Sequence, residues 1–261
     1  MELEAKIPLG AVSGRIDHLA VDLKRQQLFA AELGNDGSVR LLWAEDLTSK
    51  GRIDLGEDAD NVRIDAARNR VLVGYGKGAL AVIDPKSRAK IADIPLKAHP
   101  EGFQIDESAA RAFVNLPDAG QIAVVDLEKG QITATLPTQG HRANFPMALD
   151  REAQRVLVVF RSPPRLLVLS KEGSVVADVD TCGDADDVFV DAKRRRVYVS
   201  CGAGVLDVFE EGAGTYQRID RVPTASGART SLFVPDLDRL FVAVRASSGE
   251  PAAIWVFRPA P

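Results

Sequence analysis

The sequence is poor in the features that usually declare a function. It holds 2 cysteines in 261 residues, too few for a disulfide framework and wrongly spaced for a zinc knuckle. Neither sign of charge prevails: 33 basic and 37 acidic side chains leave a formal net charge of −4, with the two signs interleaved throughout. The longest basic run, Lys193 to Arg196, falls in an expected turn, so no nucleic-acid partner is expected. No apolar run approaches the length of a membrane span. The N-terminal MELEAKIPLG lacks the apolar core of a signal peptide. The expected location is therefore the cytoplasm, or the periplasm or cell exterior if a leader has been removed. Serine hydrolysis has no GxSxG turn to rest on, haem attachment no CxxCH, and dinucleotide binding no glycine fingerprint.

What the sequence has is a period. Apolar runs ending in aspartate recur as HLAVD at Asp22, NVRID at Asp65, GFQID at Asp106, PMALD at Asp150 and DVFVD at Asp191, and SLFVP closes the series at Pro235. The successive intervals are 43, 41, 44, 41 and 44 residues. A period in the low forties that contains only β-type segments is the signature of a four-stranded propeller blade. Each unit divides alike. Strand a ends in the aspartate and strand b follows about six residues on, as in VLVGY from Val71 or VYVSC from Val197. Strand c comes after a Gly- or Pro-bearing turn, as in LAVID (80–84) or VLDVF (205–209). Strand d is shorter and more polar, as in IADIPL (91–96), which suits an outer edge. The sixth unit stops after strand c. AKIPL (5–9) reads like ADIPL (92–96), so the N-terminal segment is expected to supply the missing strand and close the ring.

The repeated aspartates are expected to cap the a–b turn, with Arg70, Arg111, Arg155 and Arg196 five residues on to meet them. A residue found in every blade does a blade's structural work. GYGKG (74–78) and CGAG (201–204) look like phosphate loops, but no helix follows them, and they read as b–c turns.

Several stretches resemble the bacterial YncE-like, YVTN-repeat β-propellers: GRIDHLAVD (14–22), DADNVRID (58–65), AHPEGFQID (98–106), NFPMALD (144–150), GDADDVFVDAKRRRVYVSCG (183–202) and GARTSLFVPDLDRLFVAV (227–244). The resemblance runs along essentially the full chain. It implies seven blades, usually behind a secretion leader, and a binding or scaffold role in the bacterial envelope. The count here is six, and the passage from ELGN (32–35) to DGSVRLLW (36–43) looks like two blades joined with one lost between them. The expectation is a single all-β domain over residues 1–261, a six-bladed β-propeller of four-stranded antiparallel blades closed by the N-terminal strand.

Ligands of propellers commonly sit where the d–a connections reach the central channel, and here those connections differ between blades. They supply Arg15, Asp17 and His18; Asp58, Asp60 and Asn61; His99 and Glu101; His141, Arg142 and Asn144; Asp184, Asp186 and Asp187; and Arg229 and Thr230. All 3 histidines lie in these connections. If the carboxylates and histidines converge, Asp17, His18, Asp60, His99, Asp186 and Asp187 are candidate ligands for a divalent cation. Polar residues lining a wet channel would look the same, since no ligand spacing is diagnostic. Phe145 and Pro146 can place an aromatic at the mouth or in the core, and Trp43 and Trp255 read as packing. Cys182 starts a d–a connection and Cys201 ends strand b on the same side of the blade. A disulfide, fitting an oxidising compartment, and two free thiols both stand.

The leading expectation is a non-enzymatic binding or scaffold module, monomeric and needing no cofactor, that presents the channel mouth to a small molecule or protein. The rival is a lactonase-like, metal-dependent hydrolase with a cation at the same mouth and an Asp or His base.

Overall fold

The computed structural model describes residues 1–8, 19–22, 24–32, 37–43, 45–46, 48–247 and 251–260. Its strands in chain order are β1 (Glu2–Pro8), β2 (Leu19–Asp22), β3 (Gln27–Glu32), β4 (Ser38–Trp43), β5 (Ser49–Asp54), β6 (Ala59–Asp65), β7 (Arg70–Tyr75) and β8 (Ala79–Asp84). There follow β9 (Ala89–Pro95), β10 (Phe103–Asp106), β11 (Arg111–Leu116), β12 (Gln121–Asp126), β13 (Gln131–Leu136), β14 (Arg142–Asp150), β15 (Arg155–Ser162) and β16 (Pro164–Ser170). The last are β17 (Val175–Asp180), β18 (Ala185–Asp191), β19 (Arg196–Cys201), β20 (Val205–Glu211), β21 (Tyr216–Pro223), β22 (Ser231–Val234), β23 (Arg239–Val244) and β24 (Ala253–Arg258). They form antiparallel four-stranded sheets, each built from consecutive strands: β2–β5 (blade I), β6–β9 (II), β10–β13 (III), β14–β17 (IV) and β18–β21 (V). A further sheet, blade VI, has the order β1-β24-β23-β22, so the N-terminal strand completes a sheet whose other members end the chain. No helix among the described residues is long and apolar enough to cross a membrane.

These sheets fall into two compact units, Gly14–Pro137 with blades I to III, and Met1–Ser13 with Thr138–Pro261, which holds blades IV to VI. The expectation of one undivided six-bladed ring is corrected by this grouping, and the seven blades implied by the resemblance are not what the described strands form. The physical reason is that a repeat encodes how one blade packs on the next, and carries no signal for how the array divides. The junction between ELGN and DGSVRLLW lies partly outside the described residues.

The near-continuous apolar runs are buried on both faces because successive side chains point to opposite sides. In β7, Val71 and Val73 join Phe29, Val39 and Leu41 on the side of blade I, while Leu72 joins Phe103, Val114 and Leu116 on the side of blade III. Blades IV and V share Leu157, Val159, Val197, Val199 and Phe209, and blades V and VI share Tyr198, Leu206, Phe233 and Phe257. Fully burying one such side chain contributes roughly 1.5–3 kcal/mol. The outer strands face water: β9 buries only Ile94, and β13 only Leu136. Trp43 departs from its expected packing role, being exposed with the Lys50 ammonium 3.5 Å above its ring.

The aspartate ending strand a caps the following turn. Asp22, Asp65 and Asp191 accept backbone N–H bonds from Arg25, Arg68 and Arg194, and Asp150 accepts them from Glu152 and Ala153. The arginine five residues on meets this aspartate in blades II and III, Arg70–Asp65 at 2.9 Å and Arg111–Asp106 at 3.2 Å. In blades IV and V the arginine reaches forward instead. Arg155 donates to Glu211 Oε1 at 2.8 Å and Arg196 to the Ala260 carbonyl at 2.6 Å. Arg70 does both, its Nη2 donating to the Leu127 carbonyl at 2.8 Å. The first residue of strand b thus ties its blade to the end of strand c one blade further on. In blade V, Asp191 is held by Arg194, which also forks onto Asp238 of blade VI at 2.6 and 2.7 Å, and by the Tyr198 hydroxyl.

β1 pairs with β24 from Glu2 opposite Arg258 to Pro8 opposite Ala253. Arg239 and Arg258 both donate to the Glu4 carboxylate, and the hydrogen bond from Arg239 is the largest cause of its lowered pKa. Lys6 lies 3.9 Å above the Trp255 ring. Deleting residues 2–8 strips β24 of its partner. The deletion is expected to lower the melting temperature by about 5 °C or more and to promote self-association through the bare edge. Calorimetry and size-exclusion chromatography check both; an unchanged melt would mean that the added strand contributes nothing.

Candidate functional site

The candidate residues cluster at the start of strand a, where, among the described residues, the ladder to strand b is broken by an irregularity in three blades. The shift lies between Ala59 and Val62 in β6, between Asn144 and Met147 in β14, and between Ala185 and Asp187 in β18. A bulge inserts an extra residue and re-aims the side chains around it. Asp60, Asn61, Phe145, Pro146 and Asp186 sit in these irregular segments, and Asn144, Ala185 and Asp187 bound them.

In the unit of blades IV to VI, the expected aspartates meet two arginines. Arg229 Nη1 donates to both carboxylate oxygens of Asp184, at 2.7 and 2.8 Å, and its Nε lies 3.2 Å from Asp186 Oδ2. Arg161 Nη2 donates to Asp186 Oδ1 at 2.6 Å, its Nη1 lies 3.5 Å from Asp184 Oδ1, and its Nε donates to the Ala185 carbonyl. The Arg161 guanidinium is stacked 3.8 Å from the Phe145 ring. Two carboxylates and two guanidiniums form a balanced network. Asp184 is 43% exposed and Asp186 14%. Asp187 points elsewhere, accepting the backbone N–H of Ser231 in blade VI at 2.6 Å.

Four local features hold this cluster. Asp184 has φ +59°, a left-handed conformation that is unusual without glycine. Its backbone carbonyl accepts the Gly202 N–H at 2.8 Å. Its carboxylate occupies the space beside Gly202, where an added Cβ would lie 1.9 Å from Asp184 Oδ2. Cys182 and Cys201 form a disulfide with a Cα separation of 5.9 Å, pinning the connection just before Asp184 to the end of β19.

In the unit of blades I to III, Asp60 from β6 meets His99 and Glu101 from the connection between β9 and β10. One ligating atom from each lies within 4.8 Å of the others. His99 Nδ1 faces the Gly76 carbonyl, which can only accept, so the hydrogen is on Nδ1. His99 Nε2 lies 3.4 Å from Asp60 Oδ2. The hydrogen bond with Asp60 raises the His99 pKa to about 9, against the opposing effect of burial. Asn61 Nδ2 donates to Asp60 Oδ1 at 3.2 Å. Glu101 is fixed through its backbone, its N–H donating to the Asn115 carbonyl at 3.0 Å.

The remaining candidates lie apart. Arg15, Asp17 and His18 fall outside the described residues. Arg142 is exposed at the start of β14, and Asn144 is buried two residues on. His141 turns outward, with Nε2 2.8 Å from Asp178 of strand d and its ring edge-on to Phe160. Arg161, Gly202 and the Gly76 carbonyl were not among the expected site groups. Arg161 had a signal, a charge ending the otherwise apolar run VLVVFR of strand b. The glycines carry none, because their contribution is the space they leave and the carbonyl they turn.

No family model and no curated protein matches the sequence. Solved structures do match, over nearly the whole chain. Hydrazine synthase of Kuenenia stuttgartiensis is similar with a TM-score of 0.75 and 14% identity, covering 91% of this chain and 77% of that one. The β-propeller domain of Cps50 (Swd1) from Myceliophteria thermophila gives 0.70 and 12%, covering 98% and 88%. A functionally unknown protein of Desulfotomaculum acetoxidans gives 0.73 and 12%, covering 95% and 91%. At such identities the likeness shows the fold alone: an all-β propeller with four-stranded blades.

Gly202→Ala is expected to push the Asp184 carboxylate off Arg229 and to destabilise the protein by about 1–2 kcal/mol. The check is a thermal double-mutant cycle, in which most of that loss vanishes when Asp184 is already alanine. An equal loss in both backgrounds would place the strain elsewhere.

Proposed function

We propose that the protein is a non-enzymatic binding module whose strand-a bulges and d–a connections present a charged, aromatic-edged surface to a small polar ligand or a protein partner. The network of Arg161, Asp184, Asp186 and Arg229 is the observation that carries this reading. Its residues are not repeated from blade to blade, and its charges are ordered by one another before any ligand arrives. Asp184 and parts of both arginines remain open to water. A preorganised polar surface loses little freedom on binding, so more of its interaction energy appears as affinity.

The rival reading, a cation-dependent hydrolase, asks Asp17, His18, Asp60, His99, Asp186 and Asp187 for an ion and a base; in the unit of blades IV to VI that leaves Asp186 and Asp187. Asp184 and Asp186 are instead each shared between Arg161 and Arg229, and Asp187 is taken up by a backbone N–H. Two carboxylates neutralised by two guanidiniums exert little pull on a further cation. The disulfide supports placing the module in the periplasm or outside the cell, because such bonds persist in oxidising compartments. That placement agrees with the envelope role implied by the resemblance to YncE-like propellers.

The test is amide-resolved NMR with zwitterions, dicarboxylates and sugar acids, alongside an assay with aliphatic lactones and added divalent ions. Saturable shifts are expected at Phe145, Arg161, Asp184, Asp186 and Arg229 with at least one ligand class. They should be lost in Arg229→Ala and kept in Arg194→Ala. Lactone turnover that disappears in Asp186→Asn would overturn the reading.

A further inference from the structure

We propose that Asp60, His99 and Glu101, in the unit of blades I to III, form a binding site for a first-row divalent transition ion. This site is separate from the arginine–aspartate network and does not depend on how that network is used.

The arrangement begins with backbone placement. The irregularity between Ala59 and Val62 carries Asp60 at the start of β6, where its side chain is almost wholly buried, 2% exposed for the residue. The neighbouring blade delivers His99 and Glu101 two residues apart, on the connection that the Glu101 N–H ties to Asn115. Gly76, in the turn between β7 and β8, offers its carbonyl to His99 Nδ1. That bond selects the tautomer and aims Nε2 at the carboxylates, as the outer partners of metal-bound histidines do. Gly76 has φ +59°, a left-handed conformation that favours glycine in the turn that supplies the carbonyl.

The direct bond is long, and the spacing also fits two ligands of one ion. Charge-assisted N–H···O contacts run about 2.7–2.9 Å, and His99 Nε2 stands 3.4 Å from Asp60 Oδ2. Two donors each about 2.1 Å from one tetrahedral ion would lie roughly 3.4 Å apart.

A second, independent observation comes from Asn61. Its Nδ2 donates to Asp60 Oδ1, which fixes the amide against the same carboxylate. Its own Oδ1 is left buried without a hydrogen-bond partner, in a residue 1% exposed. Leaving a buried acceptor unsatisfied costs about 1–3 kcal/mol. An ion held by Asp60 with only three protein ligands keeps water in its remaining positions, and such water is the donor this oxygen lacks. One imidazole with two carboxylates is a donor set for Zn²⁺ or Mn²⁺; Ca²⁺ takes oxygen ligands alone.

The experiment uses the full chain, stripped with chelator, dialysed and titrated calorimetrically at about pH 8 with Zn²⁺, Mn²⁺ and Ca²⁺. One equivalent of Zn²⁺ or Mn²⁺ should bind and raise the melting temperature with metal concentration. Ca²⁺ should bind at least about 10-fold more weakly. His99→Ala should abolish binding, and Glu101→Gln should weaken it by about 10-fold or more. Asp186→Asn, in the other unit, should leave it unchanged. Glu101→Gln nearly preserves shape, so it keeps the test open should His99→Ala fail to fold; metal-free melting curves of each variant establish which is folded. The proposal is overturned by the absence of saturable Zn²⁺ and Mn²⁺ binding, by undiminished binding in folded Glu101→Gln, by binding that survives in folded His99→Ala, or by a preference for Ca²⁺.

Discussion

A four-stranded antiparallel sheet of aliphatic side chains is apolar on both faces and cannot be stable alone. That constraint shapes the rest of this molecule. Val71 and Val73 need blade I, Leu72 needs blade III, and the same alternation couples blades IV, V and VI. Because neighbours cover the faces, water is met chiefly along the outer strands such as β9 and β13, and there the sequence turns polar. The same logic gives β1 its value. β24 would otherwise expose a row of unpaired backbone groups, and Glu2–Pro8 covers them although its own side chains are nearly all in solvent.

Packing of this kind consumes the middle of each strand and leaves chemistry to the ends. At the a–b end a solution recurs: the aspartate folds back on the turn in blades I, II, IV and V, and an arginine reaches the next blade from II, IV and V. Its recurrence reflects a repeated task, to hold neighbours in register. At the opposite end the ladder is interrupted in β6, β14 and β18, and the residues differ. An interrupted ladder frees side chains from strict alternation. That is how consecutive residues such as Asp186 and Asp187 come to serve different partners, one an arginine pair and the other a backbone N–H across the blade boundary.

Much of this was legible because its cause is local. An apolar run ending in aspartate, a turn and a second run need only period-two alternation and turn chemistry, and the six strands expected to end at Asp22, Asp65, Asp106, Asp150, Asp191 and near Pro235 end there or one residue earlier. The pairing of AKIPL with the last strand was legible for a related reason, since an unpaired edge demands a partner. What the sequence hid depends on distance or on empty space. Arg155 and Arg196 face partners 56 and 64 residues away, so their expected bond to the nearby aspartate was a fair guess from local spacing that a longer reach displaced. Gly202 matters through a volume it does not fill. The grouping of blades into two units arises from the whole array, which no single repeat encodes.

The two clusters also show why a list of aspartates and histidines in connections could not decide the chemistry. Asp184 and Asp186 are acidic residues of the same type as Asp60, set at the same end of the same strand. Their difference lies in the partner. A guanidinium keeps its proton under all conditions a protein meets, offers donors in a fixed fork and has no lone pair to give. A carboxylate locked to it is compensated permanently and can be recognised, but it cannot easily be recruited by a metal. An imidazole held at Nδ1 by a carbonyl has a second nitrogen that can carry a proton or coordinate an ion, and Asp60 beside it keeps that choice open.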